Sequence, residues 1–330
     1  MSQTINPVST TPEPRVLVTK PRRSDQLFRV IVTSGGMSSL LILGLILAFL
    51  AYRGFEVFRF EGFGLITSSD WSVVEDDNGS VVSQSYGLAA MLVGTVLSAT
   101  IGVFIGIPIA VLSALFLEFY AGRKIRNFLI ALIDLMAAFP SLLFGLWGFL
   151  VLMPSAEYWA KLLHKYLGWI PIFDVPARFF TRSPFIAGVV LAIMIIPICT
   201  SISREVFSQT PLDRIQAAYA LGATRLAMIR AVVIPFGRGG VIGGAMLGLG
   251  RAMGETVAVY SVLNIVYQVN WQVLFGAGGN IASMILLKIG EADRDETNAL
   301  MAAGLVLFLL TLIINFIANF LVNRLGKTGR

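Results

Sequence analysis

The chain has 330 residues, 56% of them hydrophobic and only 13% charged, and its formal net charge at pH 7 is +6. Soluble globular chains have about 25% charged residues, whereas residues 30–52, 78–117 and 297–323 contain no Asp, Glu, Lys or Arg. Because about 20 consecutive apolar residues span a bilayer, this composition excludes a water-soluble domain and predicts an all-α polytopic membrane protein.

Six apolar segments are long enough to cross a membrane as helices. They are residues 29–53, 86–118, 126–154, 183–204, 229–263 and 297–323. Residues 1–28, before the first of them, are rich in Ser, Thr and Pro and are predicted to be a disordered tail. Residues 54–85, between the first and second segments, are predicted to be a loop.

Basic residues indicate which ends of these helices face the cytosol. They are concentrated in the N-terminal tail, in residues 119–126 and 204–230 and at the C-terminus, whereas residues 53–85 are rich in Asp and Glu. Short cytoplasmic flanks carry an excess of Lys and Arg. We therefore predict that both termini are cytoplasmic and that the loop 54–85 is extracytoplasmic, and the positive net charge then requires no nucleic-acid partner.

Residues 210–235, here called the knuckle, are charged and helical in pattern although they lie between two apolar segments. Thr210 and Pro211 suit the cap and the first turn of a helix. Gly222 supplies the left-handed residue that ends a helix, and Thr224 can cap a second one. The pattern predicts a cytosolic helix–glycine–helix segment. An ordinary interfacial amphipathic helix is the alternative that composition alone favours.

The spacing within the knuckle resembles the cytoplasmic loop of ABC importer permeases. It has QAA at 216–218, glycine at 222 and VVIP at 232–235. The family pattern is EAA, Gly and I-x-L-P at the same intervals, so a glutamine stands here where the family has glutamate. The resemblance implies a type I ABC importer permease with its transmembrane domain at 86–325 and a coupling loop at 205–230. In that family the loop is a coupling helix that docks on a separate ATP-hydrolysing subunit. The residues so implied are Gln216, Ala217, Ala218, Gly222 and Pro235.

Further motifs resemble phosphate permeases of the Pst type, and among these the C-type subunit. They are YG at 86–87, GT at 94–95, IGIPIA at 105–110, LEFY at 117–120, FPSLLFG at 139–145 and GRAMGETVAV at 250–259. The resemblance implies a non-catalytic permease subunit of an ATP-driven phosphate importer in the bacterial cytoplasmic (inner) membrane. It implies no cofactor in this chain, since ATP and Mg would be bound by the ATPase. The implied partners are a homologous A-type permease subunit, two copies of a cytoplasmic ATPase subunit and an extracytoplasmic phosphate-binding protein.

Arg251 and Glu255 are the charged pair within an otherwise apolar span. They are four residues apart, so on a continuous helix they share a face and can form an ion pair. Charged residues inside a membrane are functional candidates, and the planar fork of an arginine suits phosphate oxygens. We predict that Arg251 contacts the anion and that Glu255 holds Arg251 in place and can accept a bond from a phosphate hydroxyl group. The alternative is an ion pair that only fixes helix packing or a closed gate.

The depth of Arg251 depends on the shape of its helix. On a straight helix from Ala231 it would lie ~30 Å along the axis, near the outer edge of the membrane. The glycines of residues 237–244 are expected to tilt or break the helix and bring Arg251 inward.

Four other polar residues are candidates for a path through the membrane. They are Thr256, Thr95, Ser141 and Asp134. Each has an alternative role in helix packing, because hydroxyl and carboxyl groups also form hydrogen bonds between membrane helices.

Three other functions compete with phosphate import. A permease for another oxyanion such as molybdate or sulfate would have the same architecture. An ATP-independent transporter is less favoured, because the knuckle spacing indicates an external ATPase. A membrane enzyme would need a nucleophile with a base or a metal cluster, and Cys199 and His164, the only residues of their types, lie on different elements. The pattern GxxxxGK[ST] does not occur, so the chain is not expected to bind ATP.

Overall fold

The computed structural model of the chain describes residues 23–75, 81–175 and 179–327, most of which are helical. In chain order the helices are α1 (Arg23–Glu61), α2 (Gly64–Thr67), α3 (Ala89–Phe119), α4 (Arg123–Ala137), α5 (Ser141–Trp147), α6 (Met153–Leu167), α7 (Pro184–Ser208), α8 (Leu212–Ala220), α9 (Arg225–Met228), α10 (Ile234–Gly254), α11 (Val257–Val262), α12 (Ile281–Lys288) and α13 (Arg294–Lys327). A 3-10 turn covers Pro171–Phe173, and strands β1 (Trp71–Glu75) and β2 (Val81–Tyr86) form an antiparallel hairpin.

Six helices in the described ranges are long and apolar enough to cross a membrane, as predicted. They are Arg23–Glu61, Ala89–Phe119, Ser141–Leu167, Pro184–Ser208, Arg225–Gly254 and Arg294–Phe320. The second, fourth and sixth lie within a few residues of their predicted positions. The first, third and fifth differ from the prediction in ways that have identifiable causes.

The chain divides into two compact units, Met1–Phe49 and Leu50–Arg330. In the first unit the described residues form the N-terminal part of α1, and their apolar side chains, such as Leu40 (70% exposed), are exposed on every side. A helix that is apolar all round belongs in an apolar medium. The tail predicted at 1–28 was placed too far along the chain, because the helix begins at Arg23. Residues 1–22 lie outside the described part.

The segment predicted as the loop 54–85 contains regular secondary structure. Helix α1 continues to Glu61, and the hairpin of β1 and β2 follows. Trp71 of β1 and Tyr86 of β2 are paired across the hairpin, and their rings meet edge to face at 5.1 Å. The valines and the aromatic residues of WSVVE (71–75) and VVSQSY (81–86) are residue types that are enriched in strands. Residues 76–80 of the predicted acidic loop lie outside the described part.

The third span is not the predicted segment 126–154. Helix α4 ends at Ala137, and Pro140 has a non-helical backbone (φ −58°, ψ 139°). The apolar helix begins only after it and covers Ser141–Leu167. A proline disfavours the helical conformation of the residue before it. Pro140 therefore ends one helix and precedes the next, rather than lying inside a single span.

Helix α7 is the most buried of the six and forms the centre of the second unit. Glycines of α10 lie against it: a Cβ atom at Gly237 would be 2.7 Å from the Phe207 ring, and one at Gly248 would be 2.7 Å from Sγ of Cys199. Small residues let the backbones of membrane helices approach closely. These glycines pack α10 on α7 and do not break it, because α10 is continuous from Ile234 to Gly254. The expected break among the glycines was therefore wrong.

Two of the membrane-spanning helices each contain a π-helical segment just before a proline. Gly148–Leu152 joins α5 to α6, and Ile229–Val233 joins α9 to α10. In each case a proline follows at the second position of the next helix, Pro154 and Pro235 respectively. Because a proline ring clashes with the carbonyl group four residues before it, the wider π turn gives that carbonyl group room within an unbroken span.

Candidate translocation and coupling sites

The GRAMGET segment forms a helix break. Helix α10 ends at Gly254, Glu255 has an extended backbone (φ −70°, ψ 126°), and α11 begins at Val257. The Glu255 side chain is 8% exposed, and its Oε1 accepts a 3.4 Å hydrogen bond from the backbone N–H of Ala258 in α11. Discontinuous helices of this kind form binding sites in many membrane transporters.

Two residues at the start of α12 hold the break. Asn280 Nδ2 donates to the backbone oxygen of Glu255 at 2.8 Å, and Ser283 Oγ donates to the backbone oxygen of Thr256 at 3.2 Å. Asn280 Oδ1 also accepts from Ser283 N–H at 2.8 Å, which caps α12. The side chains of Asn280 and Ser283 are each 1% exposed. They thus satisfy the carbonyl groups that the break leaves without a helical partner.

Thr95 of α3 fixes the same helix start from the other side. Its Oγ1 accepts a hydrogen bond from Ile281 N–H at 3.1 Å and donates to Met91 O at 2.6 Å. Thr95 is 1% exposed, so in this structure it packs between helices and does not line an open path. A Cβ atom at Gly94 would collide with the carbonyl oxygen of Gly279, so the loop before α12 lies directly on α3.

The predicted ion pair of Arg251 and Glu255 does not form. The break turns Glu255 towards α11, and no carboxylate among the described residues lies within 4.0 Å of the Arg251 guanidinium group. Arg251 is exposed in the last turn of α10, 17 residues beyond Ile234 and thus ~25 Å along the helix. The prediction assumed one continuous helix through residue 255. Because the helix ends at Gly254, residues four apart no longer share a helix face there.

The remaining candidates do not form one cluster. Ser141 is half-buried at the start of α5, and α5 packs on α11, since a Cβ atom at Gly145 would be 2.7 Å from Cα of Ala258. The FPSLLFG and GRAMGET motifs are thus brought together. Thr256 lies at the break, and its Oγ1 donates to Gly254 O at 3.3 Å. Asp134 is separate: it is exposed on α4 and accepts a 3.4 Å bond from Ser201, near the end of α7 that leads into the knuckle.

The knuckle has the predicted helix–glycine–helix structure. Gly222 has a φ of +81° and ends α8. Its N–H donates to Tyr219 O at 2.9 Å, and Ala223 N–H donates to Ala218 O at 3.0 Å, the hydrogen bonds of a Schellman motif. Thr224 caps α9 as predicted, because its Oγ1 accepts from Ala227 N–H at 3.3 Å.

Thr210 does not cap α8, contrary to the prediction. No side-chain cap is present at that helix start, and the Thr210 Oγ1 atom is buried without a described partner. Pro211 takes the capping position, since its carbonyl accepts from Arg214 and Ile215 N–H at 3.1 and 3.3 Å.

One side of α8 packs inward and the other is open. Ile215 and Ala218 contact a core formed by the adjoining ends of α3, α7 and the α9–α10 helix. Gln216 and Ala217 are exposed, and Leu221, next to Gly222, is 90% exposed. Arg225 anchors the knuckle to α3, because its guanidinium group lies 5.1 Å from the Tyr120 ring centre. The open side carries both apolar and polar residues, and it is connected to three spans through this core.

A polar cluster joins the hairpin to α12 and α13. Glu296 Oε1 accepts from Trp71 Nε1 at 2.8 Å and from Lys288 Nζ at 2.7 Å. Burial raises the pKa of the nearby Tyr86 phenol to about 12, and the negative charge of Asp293 and then of Glu296 raises it as well. Acidic residues are therefore concentrated around the hairpin, and Lys288 neutralises part of their charge.

The family described as "Binding-protein-dependent transport system inner membrane component" matches residues 106–327, which include the knuckle and the helix break. The chain belongs to this family. The permease is similar to the phosphate transport system permease protein PstC 2 of Mycobacterium tuberculosis, at 39% identity over 90% of this chain and 91% of that protein. It is similar to PstC of Xylella fastidiosa (strain 9a5c) at 34% identity over 99% of both chains. It is also 33% identical to a probable PstC of Methanocaldococcus jannaschii, over 92% of this chain and 95% of that protein.

Solved structures agree on the fold of the permease. A chain of a bacterial alginate ABC transporter, in complex with an alginate pentasaccharide-bound periplasmic protein, superposes with a TM-score of 0.58 over 93% of this chain and 97% of that chain, at 15% identity. A second alginate importer structure gives a TM-score of 0.51 over 91% of this chain and 99% of that chain, also at 15% identity. The permease therefore has the type I ABC importer architecture, and it is a non-catalytic, multi-pass component of the bacterial inner membrane.

Proposed function

We propose that the permease is the C-type membrane subunit of an ATP-driven phosphate importer. The identity of the substrate is inferred from relatives that are 33–39% identical to this chain over 90–99% of its length. These relatives are named as phosphate transport permeases. The exposed Arg251, with no described carboxylate beside it, supports an anionic substrate. A cation held in a membrane without a counter-ion is available to a passing anion.

In this proposal Arg251 contacts phosphate and Glu255 has a different role from the one predicted. Arg251 offers five N–H donors in a planar fork, which can bind two phosphate oxygens at once. Glu255 caps α11 through Ala258 N–H and thereby helps to fix the break beside which Arg251 lies. Thr256 and Ser141 are the neighbouring hydroxyl groups that remain candidates for the path, whereas Thr95 and Asp134 have structural contacts.

The knuckle is proposed to couple the permease to a separate ATPase. Its open side, with Gln216, Ala217 and Leu221, offers an exposed surface on a helix that packs against the ends of α7 and α10. A partner that binds α8 and moves would tilt both spans together. Gly222 ends α8, and Pro235 follows the π-helical segment that leads into α10. ATP and Mg would be bound by the ATPase.

The remaining partners follow from the same assembly. An A-type permease would complete a central pathway, two ATPase copies would bind the knuckles, and an external phosphate-binding protein would dock on residues 53–85 and 264–296. In this arrangement both termini, including the tail 1–28, are cytoplasmic. The transmembrane domain is proposed to cover 86–325.

The test is labelled-phosphate uptake at micromolar concentration in host cells that lack only this chain. Wild type is expected to restore uptake. Arg251→Ala is expected to reduce it at least about tenfold, since a hydrogen bond to a charged group is worth ~1.5–3 kcal/mol. Arg251→Lys, which keeps the charge without the fork, is the matched control and should retain part of the activity.

Competitors and the ATPase decide between the rival functions. Arsenate, which resembles phosphate, should compete, and sulfate and molybdate should not. Uptake of molybdate or sulfate in place of phosphate would identify another oxyanion importer. Phosphate uptake that persisted with an inactive ATPase partner would identify an ATP-independent transporter and refute the coupling proposal.

A further inference from the structure

A strained turn precedes α7 at the end of the bundle opposite the knuckle. Arg182 has a φ of +53° and is the only described residue other than glycine with positive φ. Left-handed backbone costs such a residue ~1–2 kcal/mol, and strain of this kind persists where the surrounding structure holds it. Helix α7 has 25 residues, so this turn and the knuckle are separated by ~37 Å of helix.

The loop between α11 and α12 holds the strained turn on both sides. Asn264 N–H donates to Arg182 O at 3.4 Å, and Gly276 N–H donates to Phe179 O at 2.7 Å. Phe185 N–H, three residues beyond Arg182, donates to Val273 O at 2.9 Å. The turn is therefore built into the fold and is not a loose surface feature.

The Arg182 side chain is directed over an aromatic ring. Its Cζ atom lies 5.3 Å from the ring centre of Phe149, a distance at which a guanidinium group and a ring attract each other. Phe149 belongs to the π-helical segment Gly148–Leu152, and π segments within helices are frequent at functional sites. Two departures from regular backbone thus meet at one arginine.

Beneath this arginine is a cavity of about 440 Å³ whose polar lining suits an anion. Its polar members are Arg182, Tyr260, Ser261 and Asn264, and no carboxylate lines it. No described acceptor engages the Arg182 guanidinium, the Tyr260 hydroxyl or the Asn264 side-chain amide, so donors remain available. Ligand cavities commonly have volumes of ~300–1,000 Å³, so a hydrated tetrahedral anion fits.

A second cavity at the same end has the opposite charge. It is about 120 Å³ in volume, and Glu56 and Asp295 line it with no basic residue. An oxyanion is repelled there, and the carboxylates of Asp293 and Glu296 lie nearby. Of the two, only the Arg182 cavity offers positive charge to an anion arriving at this end.

We propose that the Arg182 cavity is an oxyanion-binding site that receives the transported anion before it reaches the break at Glu255. Arg182 binds two oxygens through its fork, and Tyr260 and Asn264 donate to the others. Ser261 is four residues, about one turn or ~6 Å, beyond Val257 at the start of α11. The anion would thus pass along α11 from Arg182 towards Arg251. That the bound anion is phosphate rests on the proposed function, whereas the positive charge of the site is given by Arg182 itself.

The test uses a cysteine placed in the cavity of the assembled transporter. Cys199 is buried and is the one native cysteine, so Ser261→Cys in a Cys199→Ala background gives a single reactive thiol. Its rate of reaction is measured with an anionic and a cationic methanethiosulfonate of similar size. The anionic reagent is expected to be favoured by about tenfold, because a charge in a cleft concentrates its counter-ions. Inorganic phosphate, but not chloride at matched ionic strength, is expected to slow the reaction.

Two further variants assign the effect to one residue. Arg182→Gln is expected to abolish both the charge preference and the protection by phosphate. Lys165→Gln removes a charge from α6 at a position that does not line the cavity, and it is expected to leave both unchanged. Phosphate uptake by the Ser261→Cys, Cys199→Ala protein shows that the complex under test is functional.

The outcomes separate this site from the proposed function. A complex that transports phosphate but shows no phosphate protection overturns the site and leaves the proposed function intact. The site is also overturned if the external binding protein slows the reaction of the cysteine in the absence of phosphate and phosphate alone does not. Arg182 would then be a docking contact. A wild-type complex that transports no phosphate overturns the proposed function, whereas protection by another oxyanion through Arg182 would still support the site.

Discussion

Substitution of Gly222 tests whether the knuckle works through its backbone conformation or through its size. Gly222 has a φ of +81°, and a Cβ atom added there would meet nothing within 4 Å. The cost of a side chain is therefore conformational and not steric within this chain. For alanine it is ~1–2 kcal/mol, which reduces the population of the native turn about 5- to 30-fold.

The order of three variants distinguishes the two explanations. Asparagine tolerates the left-handed region, alanine does so less well, and valine is strongly disfavoured there. If conformation decides, phosphate transported per ATP hydrolysed falls in the order Gly222→Asn, Gly222→Ala, Gly222→Val. If the size of the side chain against the ATPase limits coupling instead, Gly222→Ala, which adds the smallest side chain, is the best tolerated of the three.

Two measurements on the reconstituted transporter check this prediction. Amide hydrogen exchange at Gly222 and Ala223 reports the two Schellman hydrogen bonds and should speed up as coupling falls. Gly239→Ala is the matched control: it lies in α10, its Cβ atom also meets nothing within 4 Å, and alanine in a helix stabilises by ~0.5–1 kcal/mol. Unchanged exchange and unchanged coupling in Gly222→Val would refute the reasoning.

Three further predictions concern stability in detergent. Asn280→Ala removes the bond to Glu255 O and the cap of α12 and is expected to destabilise by ~1–3 kcal/mol, seen as an earlier thermal unfolding. Asn280→Asp keeps the cap acceptor but turns a carboxylate oxygen towards the Glu255 carbonyl oxygen at a buried position, so it is expected to unfold at least as early as Asn280→Ala. Gly94→Ala forces Cβ against Gly279 O and is expected to destabilise by ~1–3 kcal/mol. Thr224→Ala removes the cap of α9 and is expected to cost ~0.5–2 kcal/mol, seen as faster local amide exchange.

Each of these variants has a control in the same chain. Asn127→Ala on the exposed face of α4 should change stability by less than ~0.5 kcal/mol. Gly243→Ala places a Cβ atom with nothing within 4 Å. If Asn280→Ala and Gly94→Ala unfolded at the same temperature as these controls, the contacts at the break would not hold the fold together. If the Ala227 amide exchanged equally fast in wild type and Thr224→Ala, the hydrogen bond from Ala227 N–H to Thr224 Oγ1 would not stabilise the start of α9.

The knuckle was predictable because its signals are local. The left-handed glycine at 222 and the cap at 224 act on backbone groups within a few residues, so the sequence around them determines the result. The same reasoning failed at Thr210, whose hydroxyl is turned into the core. Local pattern indicates that a helix begins near residue 211, but not whether a side chain or a backbone carbonyl group caps it.

The helix break was not predictable from its own residues. Nothing in GRAMGET forbids a helix, and the sequence therefore suggested a pair between Arg251 and Glu255. The break depends on Asn280 and Ser283, which lie far along the chain. The glycine-rich stretch followed by Asn280 and an apolar run is the signal by which α12 could have been found. It did not indicate that the cap would also bind Glu255. Thr95 shows the same limit, since its partner Ile281 is 186 residues away.

The contacts at the break bear on how selectivity can change in this family. Asn280 and Ser283 bind the main-chain oxygens of residues 255 and 256 and not their side chains. Every amino acid other than proline offers the same carbonyl geometry, so substitutions at 255 or 256 leave those two bonds intact. In the proposed function, the side chain at 256 can therefore vary beside Arg251 without loss of these two bonds, whereas the Glu255 side chain also holds Ala258 N–H. If the anion passes beside Arg251 as proposed, a substitution at 256 changes the groups that face it while the main-chain bonds that hold the break remain.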